Sequence, residues 1–227
     1  MFRPRRGADP QTADGPSVES APELDPEARH DERLILAAQG GDLPSFNALV
    51  VRHERAVYNL CLRMLRDVSA AEDATQETFL KAWTAIATFR GGLVRPWLLR
   101  IATNRCYDVL RARGRRPADS LDAEAFESEP AWTSQTGGEH PEVYAARAEL
   151  SVHLERALAA LPEDQRLVVI LSDVHGQPYE EIAEITGVAV GTVKSRLSRA
   201  RARLREVLRD DPATREHFAR FARFSED

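Results

Sequence analysis

The chain has 227 residues and a mass of 25.4 kDa, with 43% hydrophobic and 30% charged residues. That suffices for one large domain or two small ones and excludes a collagen, a mucin or a disulfide scaffold. The net charge of −5 sums opposed blocks, and a partner feels the blocks. Residues 1–32 carry 4 basic and 8 acidic groups, 33–117 carry 14 and 7, and 118–149 carry 1 and 8. Further on, 163–184 holds one base against six acids, and 186–209 holds seven bases against one acid. Two cationic surfaces parted by acidic sequence suit a nucleic-acid binder, and they equally suit ordinary solvated faces.

No run approaches the roughly 18 apolar residues of a membrane span, and the start MFRPRRGADPQ has no apolar segment behind its arginines. Direct membrane insertion is therefore not expected, and a cytoplasmic location is. Cys61 and Cys106 are the only cysteines, 45 positions apart in helical patterns, which leaves neither a disulfide framework nor a zinc cluster.

In chain order, residues 1–31 are rich in Pro, Asp, Glu, Ser and Ala without apolar periodicity and read as a disordered tail. Helical spacing begins at Arg33. It runs from Leu34 to Gln39, breaks at Gly40-Gly41-Asp42, and continues through Leu43, Phe46, Leu49, Val57, Leu60, Cys61 and Leu65. Ser69-x-x-Glu72 signals a capping box for a helix reaching about Ile86. Its inward set is Thr75, Phe79, Ala82, Trp83 and Ile86, leaving Asp73, Glu77, Leu80 and Thr84 opposite, with Gln76 at the shoulder. This acidic patch lacks a histidine or third ligand at i+3 or i+4, so a basic protein partner is expected rather than a metal or an acid–base pair.

Phe89-Arg90-Gly91-Gly92 ends that helix, and Pro96 fits the first turn of another that reaches Arg113. There Leu98, Ile101, Ala102, Cys106 and Val109 fill one arc, while Trp97, Arg100, Asn104, Asp108 and Arg111 occupy another. Aromatic, amide and guanidinium groups together suit unpaired bases, and the loop from Arg90 to Arg95 can close over an extruded base. A core Trp and a buried Asn are the alternative. Arg105 falls in the apolar arc and must snorkel or pair.

Pro, Gly, Ser and acidic residues then mark a flexible acidic linker over 115–140. It separates a first domain, 32–114, from a second, 141–209. Helices are expected at 142–161, 163–174, 178–186 and 189–208, so the fold class is all-α with two small helical domains. Glu163 and Asp164 sit at a helix N-terminus, a dipole position that needs no functional role. Glu180 to Ile185, the turn Thr186-Gly187-Val188 and the helix from Val190 form a helix-turn-helix layout. On the last helix Val193, Leu197, Ala200 and Leu204 make a packing stripe. Thr192, Ser195, Ser198 and Arg199 gather opposite, flanked by Lys194 and Arg196, with Arg201, Arg203 and Arg205 extending the charge. Such a face suits a major groove. The tail 210–227 carries Phe218, Phe221 and Phe224, a small stripe for packing on the second domain or docking a regulator.

Three ordered segments resemble the extracytoplasmic-function (ECF) sigma factors of bacterial RNA polymerase, over about residues 33–209. AEDATQETFLKAW (71–83) is similar to the family's core-polymerase-binding helix, TFRGGLVRPWLLRIATNRCYDVLRARGRR (88–116) to its minus-10 reading and melting segment, and YEEIAEITGVAVGTVKSRLSRARARLRE (179–206) to its minus-35 helix-turn-helix. The resemblance implies a transcription initiation factor whose partners are core RNA polymerase and promoter DNA, duplex at minus-35 and single-stranded at minus-10. An anti-sigma factor is a further partner that it allows. Asp73, Gln76, Glu77 and Leu80 would contact polymerase. Arg90, Arg95, Trp97, Arg100, Asn104, Asp108 and Arg111 would serve minus-10, and Thr192, Lys194, Ser195, Arg196, Ser198 and Arg199 would serve minus-35. No cofactor or metal is expected. A self-sufficient helix-turn-helix repressor or activator is the rival reading. An enzyme is not expected, because phosphate-cradling loops, HExxH, GxSxG and Cys/His pairings are missing from the sequence.

Overall fold

The structure, a computed structural model, describes residues 26–115 and 141–210. The stretch before residue 26, most of the acidic linker and the Phe218, Phe221 and Phe224 stripe lie outside the described residues. Among the described residues there are eight α-helices and no strand. Helices α1 (Pro26–Gln39), α2 (Leu43–Leu65), α3 (Val68–Ala85) and α4 (Val94–Arg115) build the first unit. Helices α5 (Pro141–Ala159), α6 (Glu163–Val169), α7 (Tyr179–Thr186) and α8 (Val190–Asp210) build the second.

Local chemistry sets the helix ends. Asp42 caps α2 by accepting from the Ser45 N–H at 3.0 Å, with Pro44 in the first turn, and Arg66 closes that helix at φ 57° with its N–H on the Leu62 carbonyl. Asp67, rather than Ser69, caps α3: its carboxylate accepts from the Ala70 N–H at 2.8 Å, which places Ser69 inside the helix and leaves no capping box with Glu72. A 3-10 turn, Ile86–Thr88, ends α3. In the second unit the apolar run after α6 widens into a π-helical turn, Ile170–Val174, where sequence periodicity implies regular helix.

The tail ends earlier than the sequence pattern implies, because α1 starts at Pro26. Asp31 is buried, accepting from Arg52 Nε at 2.8 Å and lying 2.8 Å from His53 Nε2. Charged residues that look like tail are thus satisfied by α2, while Ile35 and Ala38 enter the core. Leu49, Leu60, Met64, Leu98 and Leu99 fill the first core, with the free thiols Cys61 and Cys106 fully buried among them. Each buried leucine contributes about 2 kcal/mol. Leu167, Ile170, Leu171, Ile182, Val193 and Leu197 are the second unit's share of the buried apolar residues, continuous with that core.

The two units dock directly, with α7 against α4 and α5 and α6 against α2. Arg63 on α2 is buried and donates from Nε to Glu155 on α5 at 2.9 Å. Arg166 on α6 is also buried and donates only to carbonyls: Leu158 at 3.1 Å, Ala159 and Leu161 at 3.0 Å, and Met64 of the first unit at 3.1 Å. Arg95 meets His175 across the same junction at 3.3 Å.

Candidate nucleic-acid and protein interfaces

The second unit presents a helix-turn-helix. Gly187 ends α7 at φ 70°, a left-handed conformation suited to glycine, and its N–H bonds the Ala183 carbonyl. Val193, Leu197 and Ala200 bury one side of α8, while Lys194, Ser195, Ser198 and Arg199 are exposed on the other. Arg199 is folded along its own helix, donating from Nε to the Ser195 carbonyl at 3.2 Å, and Ser195 Oγ donates to the Thr192 carbonyl at 3.0 Å. Thr192 is half-buried.

Two arginines of this helix have carboxylate partners outside it. Arg196 is half-buried and pairs with Asp164 at 3.0 Å, so it ties α8 to the start of α6 and does not project freely from the reading face. Asp164 therefore has a partner beyond the helix dipole. Arg201 pairs with Asp173 in the π turn, which raises its pKa and takes it out of the free cationic set. Arg203 and Arg205 stay exposed.

In the first unit Arg100, Asn104, Asp108 and Arg111 share the exposed side of α4, and Arg111 lies 3.6 Å from Asp108. Arg90 is exposed in the loop before α4. Trp97 is half-buried, its ring tilted against Phe89 at 5.1 Å, so it braces the loop more than it offers a free face. Arg95 is half-buried at the junction with the second unit, hydrogen-bonded to His175. Burial, helped by Arg95 and Arg63, pushes the His175 imidazole down to about 3. It is neutral, and its Nδ1 accepts from Arg95. Burial also lowers His53 despite the Asp31 carboxylate, so His53 is a neutral donor to that carboxylate.

On α3, Asp73, Gln76 and Leu80 are exposed, Leu80 by 66%. Glu77 is half-buried and accepts from Arg105 Nη2 at 2.7 Å, which supplies the partner that Arg105 requires in the apolar arc of α4. Beside Gln76 and Leu80 runs an apolar groove of about 480 Å³ lined by Leu43, Phe46, Val50, Phe79 and Trp83. Wheel patterns alone missed this groove because α2 and α3 each supply half of it. Among the described residues no group of three or more His, Cys, Asp or Glu is arranged to hold a metal, and no helix is long and apolar enough to cross a membrane.

Both units match known families: residues 49–116 match Sigma-70 region 2, and residues 151–204 match Sigma-70, region 4. The ECF RNA polymerase sigma-E factor of Escherichia coli K12 is 40% identical over 176 residues, covering 75% of this chain and 90% of that protein. The chain belongs to the ECF sigma factors of the sigma-70 family. The RNA polymerase sigma-H factor of Pseudomonas aeruginosa is 38% identical to this sigma factor over 191 residues, 82% of this chain and 96% of that one. Solved structures agree. The Bartonella quintana sigma factor RpoE, in complex with the anti-sigma factor NepR, superposes with a TM-score of 0.58 at 34% identity, covering 74% of this chain and 99% of that one. CnrH, in complex with the cytosolic domain of CnrY, gives 0.59 at 28% identity over 80% and 99%. The region 2 match thus covers most of α2 and all of α3 and α4, and the region 4 match covers the helix-turn-helix.

Proposed function

We propose that this ECF sigma factor joins core RNA polymerase in the cytoplasm, reads a duplex minus-35 element with α8 and a single-stranded minus-10 element with α4 and its preceding loop, and promotes melting there. The observation that carries the reading is the pairing of two exposed polar faces, Lys194, Ser195, Ser198 and Arg199 on one unit and Arg100, Asn104 and Arg111 on the other, within the two sigma-70 regions. Asp73, Gln76, Glu77 and Leu80, with the apolar groove beside them, form the polymerase-docking surface. An acidic chain with two separate cationic faces binds duplex DNA weakly alone and well when a polymerase holds both in register. An anti-sigma factor is the natural restraint, since the two structural relatives are each solved bound to a second protein and the first is described as an anti-sigma complex.

The decisive experiment is initiation in vitro with core polymerase on a genome-derived promoter library. Transcripts from a defined promoter subset are expected only when chain and core are both present. Tight promoter binding by the chain alone at physiological salt, without transcription on adding core, would favour a self-sufficient regulator instead.

A further inference from the structure

Gln39 ends α1, yet its amide serves a segment nearly fifty residues away. Nε2 donates to the Ile86 carbonyl at 3.0 Å and to the Phe89 carbonyl at 2.9 Å. Those carbonyls bracket the 3-10 turn, and the second belongs to the residue that opens the loop bearing Arg90. Past Phe89 the loop has little local support. Gly91 and Gly92 adopt φ 105° and 95°, and nothing lies within 4 Å of a Cβ placed on either. The next fixed points are the Phe89–Trp97 ring contact and the Trp97 N–H on the Leu93 carbonyl at 3.4 Å. Between α1 and this loop runs a groove of about 420 Å³, walled by Ile35, Leu36, Phe89 and Leu93, with Glu32, Gln39 and Arg90 also lining it.

We infer that Gln39 is a positioning residue for minus-10 recognition. By pinning both carbonyls to the end of α1 it fixes the start of the loop and so the width of the groove, which stays open to a planar base extruded from the single strand while Arg90 takes the adjoining phosphate. The inference rests on the minus-10 role proposed for α4 and its loop. Apolar walls that sandwich a flat ring beside a guanidinium are what single-strand recognition uses. The alternative, a side chain that merely ends a turn, affects melting temperature and leaves base discrimination alone.

The test uses the full chain assembled with core polymerase and measures initiation with each of the four bases at every minus-10 position. Gln39→Met removes both donors at similar length, and Gln39→Lys keeps a donor within reach. Gln39→Met is expected to slow initiation about tenfold and to flatten discrimination at one minus-10 position. The penalty for scrambling minus-35 stays at its wild-type value, and Gln39→Lys keeps discrimination. If Gln39→Met discriminates normally at every position while Arg90→Ala or Asn104→Ala does not, the inference fails and the minus-10 reading stands. If none of the three alters discrimination, both fail. Should Gln39→Met not fold, Gln39→Glu decides, since its carboxylate faces both carbonyls without a donor: lost discrimination with intact helicity supports the role, and normal discrimination overturns it.

Discussion

The Glu77 carboxylate accepts a 2.7 Å hydrogen bond from the Arg105 guanidinium, linking the acidic face of α3 to the helix that carries Asn104. Both side chains are partly exposed, so the pair contributes only about 0.5 kcal/mol to stability. If Glu77 meets polymerase as proposed, a carboxylate held by Arg105 is less available to a basic partner. Arg105→Ala is expected to leave affinity for core polymerase equal to or above wild type, whereas Glu77→Gln lowers it. Fluorescence anisotropy with labelled chain reads both, and weaker binding by Arg105→Ala contradicts the docking role.

Arg166 stabilises the second unit and the junction together through four backbone carbonyls. Arg166→Met leaves those acceptors buried without a donor and should cost about 3 kcal/mol, near 10 °C in melting temperature for a chain of this size. Arg166→Lys recovers little, since an ammonium cannot reproduce the planar fork. Thermal unfolding followed by circular dichroism measures both.

Acid should weaken this protein through His175. Folded, its pKa is held at about 3, against an ordinary value of 6.5. Between those values the unfolded chain binds the extra proton, so the stabilisation is complete above pH 6.5 and declines as pH falls toward 3. The slope approaches about 1.4 kcal/mol per pH unit. His53, also lowered, acts in the same direction. His175→Gln is expected to flatten the urea-unfolding pH profile below 6.5, and an unchanged slope contradicts the assignment.

Lys194 and Arg199 should separate into positioning and reading roles. Lys194→Ala is expected to weaken binding to all minus-35 sequences alike and to reduce the salt slope by about one. Arg199→Ala is expected to cost about 1–3 kcal/mol and to relax preference at one base pair. Filter binding of holoenzyme across a minus-35 variant set at several salt concentrations distinguishes the two.

Helix positions were legible because apolar residues recur at helical spacing, and the helix-turn-helix because Gly187 and the two-faced α8 fall at the required offsets. The pairings were not. Asp31 finds Arg52 and His53 on α2, 21 and 22 residues away, and no periodicity carries that information. The wheel places Arg196 beside Lys194, and only the fold of α6 against α8 brings Asp164 to it. Arg105 announced its need for a partner by lying in an apolar arc, without naming Glu77. Gln39, the last residue before Gly40-Gly41, gave no local signal, since its acceptors lie beyond two intervening helices.

Where Arg95, His175 and Gln177 meet, Arg95 Nε, His175 Nε2 and Gln177 Oε1 find no protein partner despite being buried. Each such atom costs up to about 1–3 kcal/mol relative to hydration, a cost set against the buried contacts that Arg63 and Arg166 make across the same seam. A body of 160 residues is about 40 Å across, while promoter elements about 25 base pairs apart lie about 85 Å apart along B-form DNA. The 25 residues between 116 and 140 can reach about that far when extended. On the proposed reading, opening of this seam is what would let one polypeptide straddle a promoter.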